Sequence, residues 1–180
     1  MVSKRIINNT CKILNFNYTD TLERAYKVPA ENILYIHGKA LSSKKLVVGH
    51  HDISTFQYGA VSPFNAAEEH GIYIQDDDED FRITETKEII KAYFQKTYKD
   101  TFGIIQMNQN FFDSLININE IFILGHSLSS VDMDYFVEIR KRVLHSCKWY
   151  ISYFSESDLD NMEYFAKRLD IKNFQPVMLK

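Results

Sequence analysis

The run EIFILGHSLSSVDMDYF at residues 120–136 constrains this chain more than any other. Ile121, Phe122, Ile123 and Leu124 form a short block of branched and aromatic residues that ends at Gly125, which suits a buried strand better than a helix. Small and polar residues follow, then Asp132 and Asp134, whose carboxylates complement the positive end of a helix that runs to about Leu144. Ser129 or Ser130 is the expected N-cap, and Gly125 is expected to permit close packing at the turn. A strand that passes through a tight turn into a helix is half of a βαβ unit. The fold class is therefore α/β, and a ligand site is expected at the turn, where backbone amides and the Ser127 hydroxyl face the start of a helix.

The rest of the chain repeats the alternation. KILNF at residues 12–16 predicts a strand, closed by a polar turn in which Thr19 or Asp20 caps a helix through Leu22, Glu23 and Tyr26. ILYI at 33–36 and LVV at 46–48 predict two more strands, closed by His37-Gly38 and Gly49. Residues 52–80, with Pro63 and the acidic run 76–80, predict an irregular surface excursion. Apolar spacing at Ile89, Ile90, Tyr93 and Phe94 predicts an amphipathic helix over 84–97. A short helix is expected at 108–115, a strand at 148–154, a helix at 155–169 opened by Ser-x-x-Asp, and a strand at 174–179. Such an order argues for a mostly parallel sheet with helices on both faces, in one domain over 1–180. Ligands of such sheets lie beyond the carboxyl ends of the strands, where Asn17, His37, His50 and Ser127 all fall.

Composition removes several classes of partner. With 180 residues, 45% of them hydrophobic, the chain is long enough for one sizeable core. The charges nearly balance, 21 basic against 24 acidic for a net −3, so neither nucleic acid nor an anionic membrane surface is implied. No apolar run approaches the roughly 18 residues of a membrane span, and no hydrophobic segment follows the basic start MVSKRIINNT. Cys11 and Cys147 both sit beside apolar runs, which suits free, buried thiols in a reducing compartment and hence a cytoplasmic protein.

Three constellations could carry chemistry. Gly125-His126-Ser127-Leu128-Ser129 resembles the Gly-x-Ser-x-Gly elbow of serine hydrolases, but Ser129 replaces the second glycine. The hydrolase order also needs an acid and then a histidine well downstream, and only His145 follows. His50-His51-Asp52, with His37 and His70, is a poor metal set, because adjacent strand residues point to opposite faces. His50 is expected at the rim with the other strand-end residues and His51 in solvent. No metal is expected. The third constellation is the turn Asn15-Phe16-Asn17-Tyr18-Thr19-Asp20 at one strand end with His37-Gly38 at the next. Either alone is ordinary; together they are specific.

That pair of turns, with a late Gly-x-Ser turn, resembles the sirtuin-like domains of bacterial defence proteins. More closely, FNYTDTLE, IHG, VGH and GHSLSSVDMDYF, in that order, resemble the bacteriophage abortive-infection AbiH family. The resemblance implies an antiphage protein with a Rossmann-like, sirtuin-like sheet that binds NAD or a related nucleotide and breaks its bond between ribose and nicotinamide. It implies catalytic roles for Asn17, which would hold water or ribose, and for His37, which would act as base on a ribose hydroxyl. Thr19, Gly38, Gly125, His126, Ser127 and Asp132 would bind the cofactor. The turn here reads Asn-Tyr-Thr rather than Asn-Tyr-Asp, with Asp20 one position later. The glycine-rich first β-α unit of such proteins has no counterpart before Cys11, so the chain is expected to be the C-terminal part of a larger protein. Expected partners are a nucleotide, a phage component, or the absent N-terminal segment supplied by another chain; an oligomer is compatible with all of these. Two alternatives stay open: a non-catalytic nucleotide-sensing or protein-interaction module, and a serine hydrolase that uses Ser127.

Overall fold

The computed structural model describes residues 11–43, 46–49, 89, 92 and 98–179. The chain divides into two compact units, Met1–Val47 with Asp100–Lys180, and Val48–Lys99. The excursion expected at 52–80 lies outside the described residues, as do His50, His51 and His70. Of the helix expected at 84–97, only Ile89 and Ala92 are described, and both are helical.

The first unit is a mixed α/β fold with two small sheets. Strands β1 (Ile13–Asn15) and β2 (Ile33–Tyr35) form one, and β3 (Glu120–Ile123), β4 (Lys148–Tyr153) and β5 (Phe174–Met178) form the other. Every pairing is parallel, in the register Ile13↔Ile33, Ile121↔Trp149 and Trp149↔Phe174. Helix α1 (Thr21–Tyr26) joins β1 to β2, α4 (Met133–Arg142) joins β3 to β4, and α5 (Glu156–Arg168) joins β4 to β5. Two short helices, α2 (Thr101–Met107) and α3 (Gln109–Asp113), precede β3. Pro176 is tolerated within β5 because that strand is the outermost of its sheet. Among the described residues no helix is long and apolar enough to cross a membrane.

The core lies on one face of the three-stranded sheet. Trp149 and Ile151, two apart on β4, point the same way and are fully buried, and Phe165 of α5 meets both Trp149 and Phe136 of α4 with ring centroids 6.4 and 5.1 Å away. Alternation places Phe122 and Tyr150 on the opposite face. They stack at 4.6 Å, yet Phe122 remains 38% exposed. Helices on both faces were the expectation; among the described residues α4 and α5 both contribute to the Trp149 side.

Other differences are local. LVV at 46–48 forms no strand; Val47 donates its N–H to the His37 carbonyl at 2.8 Å and its carbonyl accepts the Tyr18 hydroxyl at 2.8 Å. Asp20 precedes α1 without capping it through its side chain, and α2 is an extra helix that opens with Asp100 accepting from the Gly103 N–H at 2.9 Å. The Ser-x-x-Asp start of α5 is as predicted: Asp158 accepts the N–H groups of Phe154 and Ser155, both at 3.0 Å. Neither cysteine is in a disulfide; Cys147 is buried, which pushes its thiol pKa up, and Cys11 is only partly buried.

The α5 cap has a pH signature. The Phe154 and Ser155 amides hold the Asp158 carboxyl below its ordinary value. Its stabilising effect is therefore complete above the unfolded value of about 4 and fades as pH falls through the lower, folded one. Asp158→Ala should melt below the wild type at pH 7, with the gap narrowing in scans below about pH 4. A gap that is constant from pH 7 to pH 2 would show that the carboxylate charge is irrelevant.

Candidate functional site

The carboxyl ends of β2 and β3 meet at one carboxylate. Gly38, at φ 88°, closes a tight turn after β2 through its N–H to the Tyr35 carbonyl, and this turn presents His37. Past β3, Gly125 sits at φ 63° and Leu128 at φ 56°, a left-handed geometry that turns the chain into α4. Nothing lies within 4 Å of a Cβ added at Gly125, so glycine serves the backbone conformation there and not the close packing expected from sequence. The Gly125 N–H donates to Ser152 Oγ of β4 at 2.8 Å, which pins the turn to the neighbouring strand.

Asp132 lies in the single 3₁₀ turn Ser130–Asp132 that leads into α4. Its Oδ1 is 3.4 Å from His37 Nε2 and its Oδ2 is 3.3 Å from His126 Nε2. His126 Nδ1 accepts the Leu128 N–H at 2.9 Å, so in the neutral ring the proton sits on Nε2 and points at Asp132. Neither Ser129 nor Asp132 caps its helical turn through its side chain, against the N-cap expected from sequence. The carboxylate is turned to the two histidines instead.

Phe16, directly after β1, wedges the group together. Its ring lies 5.5 Å from His37, 4.5 Å from His126, 5.9 Å from Tyr135 and 5.6 Å from Phe136. Tyr135 is wholly buried 5.7 Å from His37; burial first, and then the charges of Asp132 and Asp134, raise its phenol pKa. Burial and Asp132 push Tyr18 in the same direction, and its hydroxyl donates to the Val47 carbonyl at 2.8 Å. Thus the turn after β1, the turn after β2 and the start of α4 are joined around one acid.

Beside this cluster runs a cleft of about 950 Å³ between the free edges of β1 and β3. Its rim at the carboxyl ends is formed by Asn17, Thr19, Gly125, His126 and Ser127, five of the residues singled out from sequence. Asn17 and Ser127 are exposed there, and Asn15, buried, accepts the Asn17 N–H at 3.0 Å and so sets the turn. His37, Gly38 and Asp132 do not line the cleft. His37 is 5% exposed and lies behind Phe16, reaching the rim only through Asp132 and His126. A second cavity of about 270 Å³ opens on the other side of the turn, against Ser152 and Asp158.

Sequence alone gave no separate role to Asn15, Phe16, Tyr135 or Ser152, although the first two fall within the turn it singled out. Asn15 carried a signal, since an asparagine two residues before another at a strand end is a common turn former. The other three are ordinary core or strand residues until the fold places them. Among the described residues Ser127 has no histidine base: His145 is exposed and bonded to Arg140 at the far end of α4, and His126 is engaged with Asp132 and Leu128. Among the described residues no group of three histidine, cysteine or carboxylate side chains is placed to hold a metal ion.

The protein is thus a mixed α/β protein with parallel strands and a polar-rimmed cleft at their carboxyl ends. The family model for bacteriophage abortive infection AbiH matches residues 2–153, and the chain belongs to that family. No curated protein and no solved structure matches it.

Two measurements check the cluster. Histidine ¹⁵N spectra should show His126 as the Nε2–H tautomer at neutral pH, and a proton on Nδ1 would contradict the Leu128 hydrogen bond. The buried His37 Nε2 has no hydrogen-bond partner and depends on Asp132 Oδ1 at 3.4 Å, so Asp132→Ala, which also removes the His126 contact, should show a loss of about 1–3 kcal/mol in urea denaturation. Unchanged stability would mean that the shared carboxylate is not structural.

Proposed function

We propose that this AbiH protein acts in abortive infection by binding NAD or a related nucleotide at the rim where β1 and β3 end. One observation carries it: Asn17, Thr19, Gly125, His126 and Ser127, from two separate sheets, converge on one cleft. The chain leaves β1 toward β2 and leaves β3 toward β4 and β5, so the strand order runs outward on both sides of that cleft. In a Rossmann-like or sirtuin-like arrangement such a crevice is the nucleotide site. Asn17 and Ser127 supply polar contacts for ribose, and the Gly125 turn lets the backbone approach. The nucleotide pool in question is cytoplasmic.

Hydrolysis adds a definite step. Water forms a bond to the ribose C1′ as the bond to nicotinamide breaks; nicotinamide leaves neutral with the bonding pair, and the water proton passes to a base. His37 is that base, reached through a ribose hydroxyl, with Asp132 to stabilise the imidazolium, and Phe16 must swing aside for contact. A second reading, a sensor that binds the nucleotide without turnover, is favoured by the 5% exposure of His37 and its place behind Phe16.

Calorimetry with NAD and ADP-ribose, followed by chromatography for released nicotinamide, separates the two. Binding should weaken about tenfold in Asn17→Ala and in Ser127→Ala, equivalent to the loss of about 1.4 kcal/mol. Nicotinamide release that vanishes in His37→Ala, with binding retained, identifies the hydrolase. Binding without release identifies the sensor, and absence of binding by either nucleotide removes both.

A further inference from the structure

The turn at Gly125 borders two hollows. Gly125, His126 and Ser127 line the cleft between β1 and β3, and the same three line the second cavity, on the side of β4 and α5. The cleft measures about 950 Å³ and the cavity about 270 Å³. A site for a whole small ligand measures about 300–1,000 Å³, so the cavity suits one ring group of a ligand whose remainder crosses the turn into the cleft.

The lining sets the chemistry of that ring. Phe154 directly follows β4, lines the cavity and is 66% exposed. An accessible aromatic face stacks flat rings whatever their edge groups. Met162 is buried and adds a polarizable floor. Ser127 and Asn161 bring a hydroxyl and an amide, each able to donate and to accept. A ring that is apolar on its faces and polar at its edges matches this lining, and a nucleobase is such a ring.

Asp158 sets the charge. Its carboxylate lines the cavity and accepts the Phe154 and Ser155 N–H groups, both at 3.0 Å, and these bonds favour its ionised form. No lysine or arginine is among the described residues that line the cavity, so nothing in the lining offsets a second negative charge. Like charges brought together in a binding site are strongly disfavoured. Phe154, Asp158, Asn161 and Met162 all follow residue 153, where the match to the AbiH model ends, so this wall lies outside the segment on which family membership rests.

We propose that this cavity binds the nucleobase of a nucleotide that straddles the turn, stacked on Phe154 with its edge on Asn161, and that Asp158 excludes a phosphate from that end of the ligand. The naming of a nucleobase rests on the nucleotide reading of the rim; the exclusion of phosphate rests on Asp158 and its neighbours alone.

The test is a titration of the full chain with adenosine, uridine and adenosine 2′-monophosphate, followed by NMR at the Asn161 side-chain amide and the Phe154 ring. A nucleoside should shift both signals to saturation, and the 2′-phosphate should bind about tenfold more weakly than adenosine, or worse. Phe154→Ala should weaken adenosine by about tenfold through loss of the stack. Asp158→Asn removes the charge, keeps an acceptor for the cap of α5, and should narrow the gap between adenosine and its 2′-phosphate. Asn161→Lys adds a cation without touching the cap, and should narrow the same gap, so the outcome does not depend on the stability of one variant. Unshifted signals with both nucleosides, equal binding of the two adenosine forms by the wild type, or an unchanged gap in both charge variants would overturn the proposal. NAD that binds at Asn17 without moving Phe154 or Asn161 would overturn it too, and leave the rim site in place. Adenosine that moves them in a chain that does not bind NAD leaves it standing without the rim site.

Discussion

A carboxylate shared between two imidazoles holds this site together. Asp132 reaches one histidine from the end of β2 and another from the turn after β3, strands that belong to different sheets. The setting is apolar, with Phe16, Tyr135 and Phe136 around it, so an unpaired charge or ring nitrogen would be costly. Two sheets with no hydrogen bonds between their described strands are thereby linked at their carboxyl ends by side chains rather than by backbone. The cleft between them follows from that arrangement.

A cleft bounded by strand edges combines two properties that usually occur apart. Its rim is polar and lies where parallel strands deliver their turns, which suits a small polar ligand. Its depth is apolar, floored by Phe136, Ile139 and Val143 of α4. The His37–Asp132–His126 group borders the rim without entering it apart from His126, so any proton transfer from ligand to His37 depends on Phe16. Turnover and binding are therefore separable in this geometry, and membership of the AbiH family is compatible with either.

Much of the fold was legible because short apolar runs ended by small or polar turn residues carry strong local information. ILNF, ILYI, IFIL and WYISYF all became strands within a residue or two of their expected bounds, and Ser155 with Asp158 opened α5 as their spacing predicts. LVV failed because three branched residues favour extension but cannot provide an edge to pair with. Helix α2 was missed because Gly103 lowers helix propensity, while a side-chain bond from Asp100 to the Gly103 amide supports its start. Period-two alternation gives the two faces of the sheet, Trp149 and Ile151 on one and Phe122 and Tyr150 on the other, but not what lies over them.

For the site, sequence by itself determined which turns could matter: Asn17, His37 and Gly125 to Ser127 follow apolar runs that must end in strands, and strand ends are where polar groups can be gathered. Only the tertiary structure decided how they are gathered. It placed Asn17 with Ser127 on one rim, set His37 behind Phe16, and gave Asp132 to two histidines instead of to its own helix terminus. The physical reason is that local propensity acts through neighbours in the chain, whereas burial and pairing of an ionisable group depend on residues as far apart as His37 and Asp132.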